Sequence, residues 1–223
     1  MTETRTNKWR WRVAGLILGF AAVWGIYVNA KPVDEVVLTL GEPYQQVREQ
    51  SRSTLPPAVT NASWGGDVSR PARLRFTDPK FGFVTPAAKF LTVGYDAQGK
   101  VWAVTLSPQI ETLPLDDAMV IFIDLQDQLL RGGWHRIRNA ENPPITDTPA
   151  IRAQIRERSD PITYWIADSK YEVILDIRRF VHQNRPNDER YLITLRLSGP
   201  PLLATQSASW SWPCSSSRRS TAR

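Results

Sequence analysis

Residues 90–106 read FLTVGYDAQGKVWAVTL. Phe90–Tyr95 and Val101–Leu106 are rich in β-branched and aromatic residues, and Asp96-Ala97-Gln98-Gly99 lies between them. Two such runs, joined by a short polar connection that ends in glycine, predict an antiparallel β-hairpin. Side chains alternate along a strand, so Trp102 and Val104 are expected on one face of the second strand, with Val101, Ala103 and Thr105 on the other. Trp102 is thereby expected in the core.

Downstream, Pro114 opens a helix with Asp116 and Asp117 in its first turn, where carboxylates favour the helix dipole. Leu115, Met119, Phe122, Ile123, Leu129 and Leu130 recur at helical spacing, and Gly132-Gly133 ends the run. Trp134 follows at once and is expected to fold back onto the helix. Pro143-Pro144 breaks the chain. Thr148-Pro149 then caps a short third helix with Ile151 and Ile155 on one face. Three strands complete this part, over Ile162–Ala167, Tyr171–Phe180 and Tyr191–Leu197. Tyr171, Val173, Leu175 and Ile177 alternate with Glu172, Asp176 and Arg178. Tyr191, Ile193, Leu195 and Leu197 alternate with Thr194 and Arg196. Such alternation predicts one buried and one wet face. Val181–Asp188 reads as a long polar loop, and Trp165, within a strand, as core.

Upstream, Val36-Val37-Leu38 fits a short strand. Gly41-Glu42-Pro43 turns the chain into a helix over 43–52, with Tyr44, Val47 and Ser51 on one face. Residues 53–72, rich in Ser, Pro, Gly and Asn, read as a loop. Arg73–Phe76 fits a strand, and Phe81-Gly82-Phe83 a loop or bulged edge. Helices and strands segregate along the chain. The fold class is therefore α+β: an antiparallel sheet made of the hairpin plus a three-strand meander, with two to three helices. Each half sets a helix before a hairpin, the pattern a duplication would leave.

The N-terminus is of another kind. Arg5, Lys8, Arg10 and Arg12 precede Val13–Val28, an apolar run without charge. Basic then apolar is the order of a signal peptide or a signal anchor. Val28-Asn29-Ala30 would suit cleavage, whereas Trp9, Trp11, Trp24 and Tyr27 near both ends suit an anchor held in the bilayer. The aromatic flanks favour an anchor over 13–30. On either reading the basic residues 1–12 stay cytoplasmic, and residues 31–200 form a periplasmic domain across a bacterial inner membrane. Residues 201–223 lose all periodicity and read as a disordered tail.

The formal net charge is +6, which would suit nucleic acid, but its distribution does not. Residues 31–200 hold as many acidic as basic residues, and the excess sits at the two ends. A neutral body lacks the footprint that phosphate contacts need. The one cysteine, Cys214, lies in the tail, so no disulfide joins two parts of the chain. The two histidines, His135 and His182, stand at no ligand spacing from Cys, His or a carboxylate. Asp116 and Asp117 are accounted for as helix-start acids. No phosphate loop, nucleophile elbow or zinc-protease helix occurs. The expectation is a protein without catalytic centre, metal or cofactor. Trp64, in Ser63-Trp64-Gly65-Gly66, has no evident reason to be buried and reads as a loop-borne interface anchor. Together with the polar loop it gives the expected protein interface: Trp64, Arg178, His182, Asn184, Arg185 and Asp188.

Leu40-Gly41-Glu42-Pro43-Tyr44-Gln45-Gln46-Val47-Arg48 resembles the opening of small bacterial extracytoplasmic proteins that begin with a Leu-Gly-x-Pro-Tyr turn and a short helix. Leu129-Leu130-Arg131-Gly132-Gly133-Trp134 looks like the helix-to-Gly-Trp ending of similar chains. Some of these are periplasmic immunity proteins, which bind and block toxins delivered by rival cells; others are envelope assembly factors of the outer-membrane lipoprotein type. The lipid-acceptor cysteine of the second group is missing here. The resemblance is confined to these two stretches. It implies a membrane-tethered inhibitor of a toxic effector. The alternative is a single-span subunit of an envelope complex for secretion or division. An envelope hydrolase would require His135 or His182 to meet a carboxylate in a pocket.

Overall fold

A computed structural model of the protein describes residues 33–59, 62–137, 145–157 and 160–199. The expected basic N-terminus (1–12), membrane segment (13–30) and tail (201–223) lie outside these residues. Among the described residues no helix is long and apolar enough to cross a membrane.

The hairpin forms where the sequence places it, from β5 (Phe90–Tyr95) and β6 (Val101–Ser107). Asp96 closes its turn, its Oδ1 accepting from the backbone N–H groups of Gln98 and Lys100 at 2.9 Å each. Gly99 takes a φ of +73° there, a conformation that a side chain would strain. The meander is also present: β8 (Ile162–Ala167), β9 (Tyr171–His182) and β10 (Arg185–Ser198). A non-sequential contact joins the two units, since β10 pairs antiparallel with β6 from Leu195↔Leu106 to Ser198↔Ala103. With β2 (Trp64–Asp67) and β7 (His135–Ile137) at its edges, the result is one seven-stranded antiparallel sheet in the order β2-β5-β6-β10-β9-β8-β7.

A second sheet holds β1 (Asp34–Leu38), β3 (Ala72–Phe76) and β4 (Phe83–Val84). It is mixed, because β1 runs parallel to β3. The helix α1 (Tyr44–Gln50) lies between β1 and β3 in sequence and buries Tyr44 and Val47. The longest helix, α2 (Leu115–Arg131), buries Leu115, Ala118, Met119, Phe122, Leu125 and Leu129 along one stripe. Its end is a Schellman turn: Gly133 has φ +77°, and the N–H groups of Gly133 and Trp134 donate to Leu130 O and Leu129 O. That turn drives Trp134 inward. Its Nε1 donates to Phe81 O at 2.9 Å, and the rings of Phe76, Phe81, Phe83 and Tyr171 surround it. This aromatic knot fastens the small sheet to α2 and β9. The third helix, α3 (Pro149–Arg156), is capped by Thr148 Oγ1 and buries Ile155.

Beyond Leu195, β10 parts from β6 and a side chain continues the pairing. Gln109, almost fully buried, accepts from Ile193 N at 2.9 Å and donates to Tyr191 O at 3.0 Å. Leu113 then exchanges backbone hydrogen bonds with Tyr191.

Four expectations are corrected. Residues 53–72 are not all loop, for Trp64–Asp67 is a strand; its two glycines suppress the sequence signal, while the backbone ladder to β5 needs no side chain. Val181–Asp188 is not a long loop either. Both strands run on to a two-residue turn at Gln183-Asn184, and the pairing steps from Arg185↔His182 to Arg190↔Phe180, so that β10 bulges over 186–189. A polar ribbon hides its strands from any reading based on apolar periodicity. Phe83, expected in a loop or bulged edge, is a short strand paired with Phe76. Finally, Trp102 is not core. The register passes from Gly94↔Ala103 to Tyr95↔Val101, which leaves Trp102 as the extra residue of a β-bulge. The alternation slips by one position, Val101 and Val104 both turn inward, and Trp102 is 54% exposed.

Candidate interaction surface

The faces of the seven-stranded sheet follow from the register. Val173, Leu175 and Ile177 of β9 and Ile193, Leu195 and Leu197 of β10 point to the side where α2 lies, and all are buried in one apolar cluster with it. The helix α3 lies there too: Arg179, an odd-numbered residue of β9, donates to Arg156 O at its end. The even-numbered positions point the other way, and no described helix packs against them.

Three rows of side chains cross that outer face. One runs Ile137, Tyr164, Ile174, Arg196, Thr105, Thr92 and Asp67, each opposite the next. A second runs His135, Ile166, Glu172, Ser198, Ala103 and Gly94. A third brings Ile162 beside Asp176 and Thr194. Trp102, the bulge residue, lies over Gly94, where an added Cβ would stand 2.9 Å from the indole Nε1. One ring face therefore rests on backbone that only glycine can offer, and the ring remains half open to solvent. Phe90 is exposed at the β5 edge and Ile137 at the β7 edge. A groove of about 360 Å3 beside Trp102 is lined by Gly65, Thr92, Gly94 and Thr105.

Charge on this face is layered. Asp176 is recessed, with 8% of its surface exposed. Burial raises its pKa, although Arg196 and Arg178 act against the rise. Burial also raises the pKa of Glu172. The guanidiniums stand further out: Arg178 is exposed, and 53% of the Arg196 side chain is accessible. Arg196 approaches Asp176 to 3.8 Å, beyond hydrogen-bond length.

Five of the sequence-expected interface residues lie along the β9–β10 ribbon, and Trp64 lies apart from them in the β2 edge strand. Arg178 lies on the outer face. Asn184 is exposed at the tip of the β9–β10 ribbon, and His182 and Arg185 pair through the backbone beside it. Asp188 is half-buried and accepts from Arg190 Nε at 2.9 Å. Trp64 opens a strand rather than lying in a loop, and is half-buried. Its ring stacks on Tyr95 at 4.5 Å and meets Tyr44 edge-on at 5.4 Å. The Trp64 indole N–H and the Tyr95 hydroxyl are both buried without a hydrogen-bond partner among the described residues.

His135 lines a cavity of about 710 Å3 together with Asp127, Asp147 and Trp165. It forms no hydrogen bond or ion pair with either carboxylate among the described residues. Asp147 is tied to Arg152, whose hydrogen bond lowers its pKa, which makes it a weak base. Among the described residues no group of His, Cys, Asp and Glu could hold a metal ion.

One signal for the open face was present in the sequence. Ile162-Thr163-Tyr164-Trp165-Ile166-Ala167 is apolar at both parities, which a strand with one wet face has no need of. Trp102 gave no such signal, since a bulge is set by cross-strand register. No protein-family model matches the chain, and neither a curated protein nor a solved structure matches it.

Proposed function

We propose that this chain is a membrane-tethered periplasmic binding protein, an immunity protein that binds and neutralises a toxic secreted effector. The observation that carries the reading is the one-sided seven-stranded sheet. Its helices cover one face, and the other presents Trp102, Phe90 and Ile137 to solvent. Exposed aromatic residues on a rigid sheet are the material of binding hot spots. The resemblance of residues 40–48 and 129–134 to immunity proteins names the kind of partner. The basic-then-apolar order of residues 5–28 supplies the tether, and the neutral body suits a dedicated protein partner rather than nucleic acid.

The test uses two full-length forms, one native and one with residues 1–30 exchanged for an unrelated membrane anchor. Each is expressed in a strain that lacks the gene, and that strain is challenged with toxin-delivering rival cells. Bound proteins are recovered from the envelope. An inhibitor protects in both forms and retains one stoichiometric effector. Loss of function on anchor exchange, with several membrane-complex subunits recovered by the native form alone, would replace this reading with that of an envelope-complex subunit.

A further inference from the structure

We infer that the open face of the seven-stranded sheet is the docking surface, with Trp102 as its apolar anchor, and that it takes a protein surface bearing carboxylates around an apolar centre. The inference rests on the binding-protein reading above and names the partner chemistry of that site.

Size comes first. Seven strands at a spacing of about 4.8 Å make the face roughly 30 Å wide. Over a strand length of about 20 Å this gives several hundred Å2, on the scale of the roughly 800 Å2 which each partner gives to a standard protein–protein interface. Charge then selects the partner. Asp176 is buried and Glu172 half-buried, and the exposed carboxylate of Asp67 lies at the β2 edge, where it accepts from Thr92 Oγ1; over β9 and β10 an approaching molecule therefore meets the guanidiniums of Arg178 and Arg196. Neither guanidinium donates a hydrogen bond within the described chain, and Arg196 holds Asp176 only at 3.8 Å. Guanidinium forks of this kind pair with carboxylates through two parallel hydrogen bonds once water is excluded. The row Ile137–Tyr164–Ile174 leads up to Arg196, and Trp102 stands on the neighbouring strand beyond it. Apolar and cationic groups are thereby interleaved on one rigid plane.

Other occupants fit less well. A second copy in a twofold contact would set this patch against itself, arginine against arginine. A glycan strand would use the groove beside Trp102 but would leave the arginines and the apolar row without partners.

The experiment places a photocrosslinking residue at Thr105, on the outer face, and separately at Asp117, on the exposed side of α2, in the full-length membrane-bound protein. The crosslinked species is identified and purified. It is then titrated against the unaltered protein, Trp102→Ala, and the double variant Arg178→Glu/Arg196→Glu. The inference expects crosslinking from Thr105 and not from Asp117. It further expects an acidic contact surface on the partner, at least a tenfold loss of affinity in each variant, and recovery when partner carboxylates are reversed to lysine. Charge reversal removes the cations that face Asp176 and lowers the melting temperature at neutral pH, so affinities are compared at a temperature where circular dichroism shows every variant folded. Crosslinking from Thr105 to residues 200–223, to a second copy or to peptidoglycan would overturn it. So would affinity unchanged by the charge reversal. A partner reached only from Asp117 would overturn this face and leave the binding-protein reading intact; no protein partner at either position would remove both.

Discussion

Asp176 is where the chain works against itself. Its carboxyl sits on the outer face between Ile162 and Thr194, and burial holds its pKa above the ordinary carboxylate range despite Arg196 and Arg178. A carboxyl whose pKa is raised on folding contributes stability below its unfolded pKa and loses it as pH rises through the folded value. At neutral pH the ionised Asp176 therefore costs stability. Replacing it with Asn removes that charge with little change of shape. Thermal melts of Asp176→Asn should exceed the parent by a few degrees at pH 7, and the gap should close as the pH falls below the carboxylate range. A gap that widens on acidification would mean that the ion pair with Arg196 outweighs burial. Trp102 and Gly94 illustrate the same scale differently. One extra residue at Trp102 turns an indole outward, and the missing Cβ of Gly94 gives it a place to lie.

Among elements, β10 carries the assembly. It pairs with β9 along most of its length and with β6 from Leu195 to Ser198. Where β6 ends, Gln109 and Leu113 take over, so the sheet's central seam depends on one amide side chain. Truncating Gln109 to Ala strands Ile193 N in a buried site, while Tyr191 O keeps the hydrogen bond from Leu113 N. Each unsatisfied group costs about 1–3 kcal/mol. Urea denaturation of Gln109→Ala should therefore register a loss of about 1–3 kcal/mol, with an unchanged slope. A loss close to zero would show that water or a local shift can replace the amide. The two-glycine end of α2 works at the same scale, for the Schellman turn at Gly133 delivers Trp134 into the aromatic knot.

For the whole molecule, the described apolar core is a single cluster that runs from Val36 in the small sheet to Leu197 in the large one. Trp134 sits at the junction, in contact with rings from β3, β4 and β9. Two sheets that share one core should unfold together. Tryptophan fluorescence and far-ultraviolet circular dichroism, followed through the same urea titration, are expected to give coincident transitions. Separated midpoints would show that the small sheet and α1 melt on their own. At this scale lies the asymmetry behind the proposed function as well, with every described helix on the inner side of the large sheet or against the small one.

The amino-acid sequence by itself determined the α+β class, the hairpin over 90–106, the helix from Pro114 to the paired glycines, the capped helix after Thr148 and the three strands of the meander. Each of these is a local pattern of period, cap or turn, and local patterns are written in neighbouring residues. The tertiary structure alone decided that β6 joins β10, that β1 lies parallel to β3, and that two glycines make an edge strand after Trp64. It also decided that the 181–188 ribbon keeps its strands and that Trp102 faces outward. These depend on register between segments far apart in the chain and on backbone hydrogen bonds that no side-chain pattern reports. The bulge at Trp102 carries the most consequence, because one residue of register separates a buried tryptophan from an exposed one.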